Sequence, residues 1–122
     1  FEILPAPPHV AAFRFSGTLD GEDYDRCIEQ VEAKLADHPR IGLLCDLTAF
    51  TGLTPAALAK DLRYALTRFG EYRRFARSAI VTDKHWLGRA SEFAAHFLPH
   101  SEIRAFDPGE FDAALAWAAD IG

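Results

Sequence analysis

"IGLLCDLTAFTGLTPAALAKDL", residues 41–62, changes its periodicity half-way, and that change decides how the chain is read. Ile41 to Leu47 is almost continuously apolar with Asp46 as its only charge, the pattern of a central strand covered on both faces. "TAFTG" then reads as the connection at the carboxyl end of that strand, with Thr54 as a helix N-cap and Pro55 as the first helical residue. Leu58, Leu62, Ala65, Leu66 and Phe69 follow on one stripe at helical spacing, so this face is expected to be buried, with Gly70 as the stop.

The same alternation extends in both directions. Upstream, "SGTLDGEDYDRCIEQVEAKLADHP" carries Tyr24, Cys27 or Ile28, Val31 and Leu35 on one helical face, acids near its start and Pro39 at its end. Before it, Phe1 to Leu4 and Val10 to Phe15 are β-prone runs joined by "PAPPH", which predicts an antiparallel hairpin. Downstream, "FARSAIV" (75–81) is the next strand, residues 86–97 the next helix, "EIRAF" (102–106) the last strand and residues 110–121 the last helix. The order ββαβαβαβα predicts an α/β fold with a mixed, mainly parallel five-stranded sheet, right-handed crossovers and one antiparallel strand at or near an edge.

Length and composition bound the rest. The 122 residues, 49% of them hydrophobic, suit a single domain spanning 1–122 with a core that needs no metal or disulfide. A net charge of −5 argues against nucleic acid as a partner. Cys27 and Cys45 read as small buried hydrophobes in a reducing compartment. With no run long enough to span a bilayer and no signal-peptide pattern, the expectation is a cytoplasmic protein that is not transmembrane. The chain contains no Met, even at position 1, so its native start is expected to have been processed or replaced.

Ligands in open parallel sheets bind outside the carboxyl ends of strands, which here directs attention to residues 16–20, 46–54, 82–86 and 107–110. Asp46 and Asp83 stand at strand ends, where a carboxylate caps the following turn. Thr48, Thr51 and Thr54 lie where a strand gives way to a helix, and a phosphoryl group there would meet the positive end of the helix dipole. Arg73, Arg74 and Arg77 enter a strand and would present a basic spot to an anionic headgroup or an acidic partner, or form ion pairs at an edge. His85, His96 and His100 lack the spacing of a metal set, since Pro99 separates the last two from helical geometry. Trp86 is the better candidate for lining a crevice. There is no glycine-rich phosphate loop, nucleophile elbow or paired-carboxylate motif. A hydrolase using Asp83 and His85 therefore has no motif behind it.

"LLCDLTAFTG", then "YRRFARSAIVTDKHWLG", then "EIRAFDPGEFDAALAWAAD" resemble the SpoIIAA-like family of STAS/SEC14-like domains over nearly the whole chain. The most specific piece is "RRFARSAIVTDKHW". The resemblance implies a β-α superhelical fold and no established enzyme activity, and no cofactor is expected. It also implies a binding role, either holding a lipid or other apolar small molecule or docking a protein partner. Anti-sigma-factor antagonists of this kind carry a phosphorylated serine in Asp-Ser-Ser-Gly at a helix start. Here "CDLTAFTGLTP" keeps Asp-Leu-Thr without that motif, so the regulatory alternative rests on Thr51 or Thr54. The tentative ligand or partner residues are accordingly Asp46, Thr51, Thr54, Arg73, Arg74, Asp83, His85 and Trp86. Edge strands and many aromatics add the expectation of a homodimer. Three features separate the roles: a continuous apolar cavity for a lipid carrier, an exposed threonine at the helix start for a regulator, and a convergent polar pocket for an enzyme.

Overall fold

The apolar run at Ile41 opens the longest strand of the molecule, third in a five-stranded sheet of order β1-β2-β3-β4-β5. The computed structural model describes residues 1–67, 69–94 and 101–121, with the side chains of residues 69, 70, 72, 86, 90, 91, 93 and 94 outside the described part. The elements are β1 (Glu2–Ile3), β2 (Val10–Leu19), α1 (Gly21–Asp37), β3 (Ile41–Leu53), α2 (Pro55–Thr67), β4 (Phe75–Val81), α3 (His85–Ala94), β5 (Glu102–Phe106) and α4 (Phe111–Ala119). Short 3-10 turns cover Phe69–Arg74 and Pro108–Glu110. β1 pairs antiparallel with β2 at the edge, and every other pairing is parallel, as the strand–helix alternation requires.

Strand alternation divides the core in two. Ala11, Phe13 and Phe15 of β2 face α1 and α2, where they pack with Tyr24, Cys27, Val31, Leu35 and Ala57. Val10, Ala12, Leu44, Ala79, Val81 and Phe106 face the other way and are covered by Ala114 and Ala118 of α4. Gly42 lets this helix come close, because a Cβ there would stand 2.1 Å from the Ala118 carbonyl oxygen. α3 lies over β5, with Gly88 against Ala105. Ala105 shares a face with Ile80, Cys45 and Phe13 through the strand registers, which puts α3 on the α1–α2 side.

Two expectations are corrected. Residues 16–19 and 48–53 are not loops: they prolong β2 and β3 into a parallel ribbon beyond Asp46, the last residue of β3 paired with β4. Thr48, Phe50 and Thr51 suit an extended backbone, and Gly17 takes φ 68° at the register shift beside Thr18. The second correction concerns α2. The stripe expected to be buried is exposed, at 47% for Leu58, 58% for Leu62 and 79% for Leu66, with Ala65 exposed as well. The Phe69 side chain lies outside the described residues. α2 meets the core instead through Ala57 and Tyr64, on the opposite side of the helix.

Candidate functional site

Asp46 sits where the β3 ladder breaks. Arg14 pairs with Asp46 and Ser16 with Ala49, so Leu47 and Thr48 together oppose Phe15 alone, a bulge that frees the Thr48 amide from the ladder. Asp46 Oδ1 accepts from that amide at 3.0 Å, and Oδ2 accepts from Arg14 Nε at 3.1 Å. Arg14 also lies 4.0 Å from Glu2 and over the Phe111 ring, at 5.8 Å from its centroid. Burial opposes ionisation of Asp46, but the Thr48 amide and hydroxyl and the Arg14 guanidinium outweigh it and hold the carboxyl below its usual value. The carboxylate ties β2 to β3 and shapes the bulge. The signal for this pair was present in the sequence: one lone charge in each of two neighbouring apolar strands.

Thr51 and Thr54 occupy different environments. Thr51 is exposed on the ribbon, its hydroxyl 3.2 Å from that of Thr18 on β2. Thr54 Oγ1 accepts from the Ala57 amide at 3.2 Å, the bond of an N-cap, and is half-buried.

The arginines lie at the other end of β4 from Asp83. Arg74 turns back onto the end of α1, where Nε donates to Pro39 O at 3.0 Å and Nη2 to His38 O at 3.0 Å and to Leu35 O. Those of Leu35 and His38 are carbonyls that a helix leaves without internal partners at its carboxyl end, and Pro39 lies just beyond it. Arg77 donates to Trp117 O at 3.0 Å, lies 4.8 Å from the Trp117 ring centroid and pairs with Glu102. Arg73 is exposed, and its carbonyl accepts from Arg40 Nε at 3.4 Å.

At the carboxyl ends of β4 and β5, a cavity of about 260 Å³ is bounded by Thr82, Lys84, His85, Arg89, Glu92 and Glu110 among others. Thr82 Oγ1 accepts from the Lys84 amide at 3.0 Å at the entry to α3. Two acids of its wall are engaged by backbone donors, Glu92 by the Ala105 amide at 3.2 Å and Glu110 by the Asp107 amide at 2.9 Å. His85 is exposed at the first turn of α3, and Asp83 is exposed beside Lys84, 3.9 Å away. The Trp86 side chain, His96 and His100 lie outside the described residues. The eight residues singled out from the sequence therefore do not converge. Asp46 and Thr51 lie within β3 and Thr54 just after it, Asp83 and His85 follow β4, and Arg73 and Arg74 precede it.

A larger cleft, of about 610 Å³, runs between α1 and α2 and was not foreseen. Tyr24, Ile28 and Tyr64 contribute its apolar surface, while Asp25, Glu29, Glu32, Lys60 and Arg63 contribute charge. The helices are tied across it by Tyr24 Oη, which donates to Asp61 Oδ1 at 2.7 Å, and by Lys60 Nζ, 2.6 Å from Asp25 Oδ2. Burial and then the Asp61 carboxylate raise the Tyr24 hydroxyl above its ordinary value. Burial also pushes the thiols of Cys27 and Cys45 up to about 12. Among the described residues, no group of three or more His, Cys, Asp or Glu side chains is placed to hold a metal, and no helix is long and apolar enough to cross a membrane.

A mixed five-stranded sheet with one antiparallel edge strand, three helices on one face and one on the other defines an α/β module of the SpoIIAA type. The sequence profile of the SpoIIAA-like family matches residues 10–119, and the chain belongs to that family. It is similar to an uncharacterized protein of the DUF3478 family with a SpoIIAA-like fold from Shewanella loihica PV-4. The two share 30% sequence identity with a TM-score of 0.71, over 90% of this chain and 84% of that one. Comparison with curated proteins gives no match.

Proposed function

We infer that the protein is a non-catalytic docking module that engages a protein partner through the exposed leucine face of α2. Its SpoIIAA-like fold is that of a STAS-type binding or regulatory module. The observation that carries the docking role is the row Leu58, Leu62 and Leu66, one turn apart and turned away from the core. Leaving such a row in water forgoes roughly 1.5 to 3 kcal/mol per leucine that burial would supply, scaled by how much of each is exposed. A partner helix with an apolar stripe of its own recovers that energy.

A lipid carrier is the weaker reading, because the α1–α2 cleft is open and rimmed by charged side chains. The non-catalytic reading is supported by the state of the nucleophile candidates. Cys27 is buried and Cys45 half-buried, burial raises the pKa of both thiols, and the Thr54 hydroxyl is engaged as a cap. One observation favours a regulated form of the same docking: Thr51 is exposed, so modification there would not cost α2 its cap, as it would at Thr54.

The test compares the wild-type chain with a Leu62→Glu/Leu66→Glu variant as baits in extract of the source cells, with quantitative mass spectrometry of what is retained. A partner retained by wild type and lost from the variant, while both unfold at the same denaturant concentration, is the expected result. Equal recovery of every retained protein overturns the assignment to α2. Light scattering identifies the case in which the partner is a second copy of the chain.

A further inference from the structure

The prolines that follow β1 decide how this edge of the sheet is built. Leu4 donates to Ala12 O at 2.9 Å, and of residues 5–8 only Ala6 has a backbone donor; Val10 then closes the turn onto Pro7 O at 3.0 Å. The segment stands off from α1 across a cavity of about 220 Å³. Ile3, Leu4 and Ala6 line one side, β2 contributes the buried Phe13, and Gln30 and Lys34, one turn apart, line the α1 side. Lys34 is the only charged residue of this lining. Lys34 and Gln30 are half-buried, and neither side chain has a hydrogen bond or ion pair among the described residues. Ile3 remains exposed. An apolar space with a few polar groups to one side is the pattern of a small-molecule site. An apolar cavity of about 150 Å³ takes benzene, so this one has room for a ring and a short polar extension. A cation is repelled by the Lys34 ammonium, and a hydrocarbon leaves both polar groups unpaired. The two oxygens of one carboxylate match the two donors.

We propose that the cavity between the β1 edge and α1 binds a small monocarboxylate with an apolar body, its carboxylate accepting from Lys34 Nζ and the Gln30 amide and its body against Ile3, Leu4 and Ala6. Covering the apolar side chains supplies the affinity, and the single ammonium supplies the preference for a carboxylate. Lys34 lies in the last turn of α1, where the helix dipole already favours a cation, so the charge is in place before a ligand arrives. Gln30 and Lys34 occupy the flank of α1 opposite Ile28 and Glu32 of the α1–α2 cleft. The site is therefore independent of the leucine face of α2 and stands whether or not that face docks a protein.

3-Phenylpropanoate is the probe, with 3-phenylpropanamide as its uncharged control and 3-phenylpropylamine as the control of opposite charge. Backbone amide chemical shifts of the full chain are followed during titration. The expected result is saturable shifts centred on residues 3–6, 10–13 and 30–34. The amide is expected to bind about fivefold more weakly than the carboxylate, as loss of one charge contact predicts, and the amine more weakly still. Lys34→Met keeps the stem of the side chain and is expected to abolish the preference for carboxylate over amide while leaving amide binding unchanged. Ile3→Ala is expected to weaken carboxylate and amide alike, by about fourfold, the value of one buried methylene. Lys34 is only half-buried and Ile3 is exposed, so both variants should unfold at the same denaturant concentration as wild type. Equal binding of carboxylate and amide to wild type, a preference that survives Lys34→Met, shifts centred elsewhere, or no saturable shift overturns the proposal.

Discussion

α1 and α2 carry similar sequence signals and end in opposite environments. Each has apolar residues at helical spacing. α1 buries its set, Tyr24, Cys27, Val31 and Leu35, over the phenylalanines of β2, whereas α2 buries Ala57 and exposes Leu58, Leu62 and Leu66. Periodicity specifies that a helix has an apolar face; it does not specify what covers it. α1 lies over a strand rich in large inward side chains, while α2 follows a β3 that has already left the sheet as a ribbon and so has little sheet beneath it. The buried apolar face of α1 belongs to folding, and the exposed one of α2 is available for recognition.

The sharpest way to break this contrast is the pair Leu35→Ala and Leu62→Ala. The first should cost about 2 to 5 kcal/mol in denaturant unfolding, because it empties a core position. The second should stay within about 0.5 kcal/mol of wild type. Similar losses at both sites would mean that α2 is anchored through its leucines after all.

Arg74→Ala tests what holds the end of α1. Removing the side chain leaves the carbonyls of Leu35, His38 and Pro39 to solvent, and the expected loss is about 1 to 2 kcal/mol, visible as earlier amide exchange in the last turn of α1. No change in that exchange would reassign Arg74 to a surface role.

Asp46 tests the bulge from which the ribbon, and then α2, departs. Its folded pKa is depressed, so its contribution is present above its ordinary value of 3.8 and is lost as pH falls through the lower folded value. Asp46→Asn should cost about 1 kcal/mol at neutral pH, reduced by the exposure of Arg14, and should lose less stability than wild type on acidification. Parallel acid-unfolding curves for the two proteins would remove Asp46 from the account.

The smallest effect is expected at the start of α2. Thr54→Ala should lower stability by about 1 kcal/mol through loss of the N-cap, and Thr51→Ala by less. Equal, negligible changes would show that α2 does not depend on its cap.

The element order, the parallel sheet with its antiparallel edge strand, and the spans of β4 and β5 were legible in the sequence, because apolar runs bounded by turn residues and helical spacing report local periodicity. So was the Thr54 cap, which is a contact between residues three apart. The ribbon was not legible. "SGTL" and "TAFTG" carry the Gly, Ser and Thr of a turn, and only their pairing with each other, 33 residues apart at Thr18 and Thr51, makes them strand. Nor was the fate of Arg74, whose partners lie 35 to 39 residues away at the end of α1. The α1–α2 cleft and the outward turn of the leucines were likewise set by how helices pack on a finite sheet. The sequence determined which faces were apolar, and the tertiary structure decided which of them met other faces, because coverage depends on residues distant in the chain that local patterns do not encode.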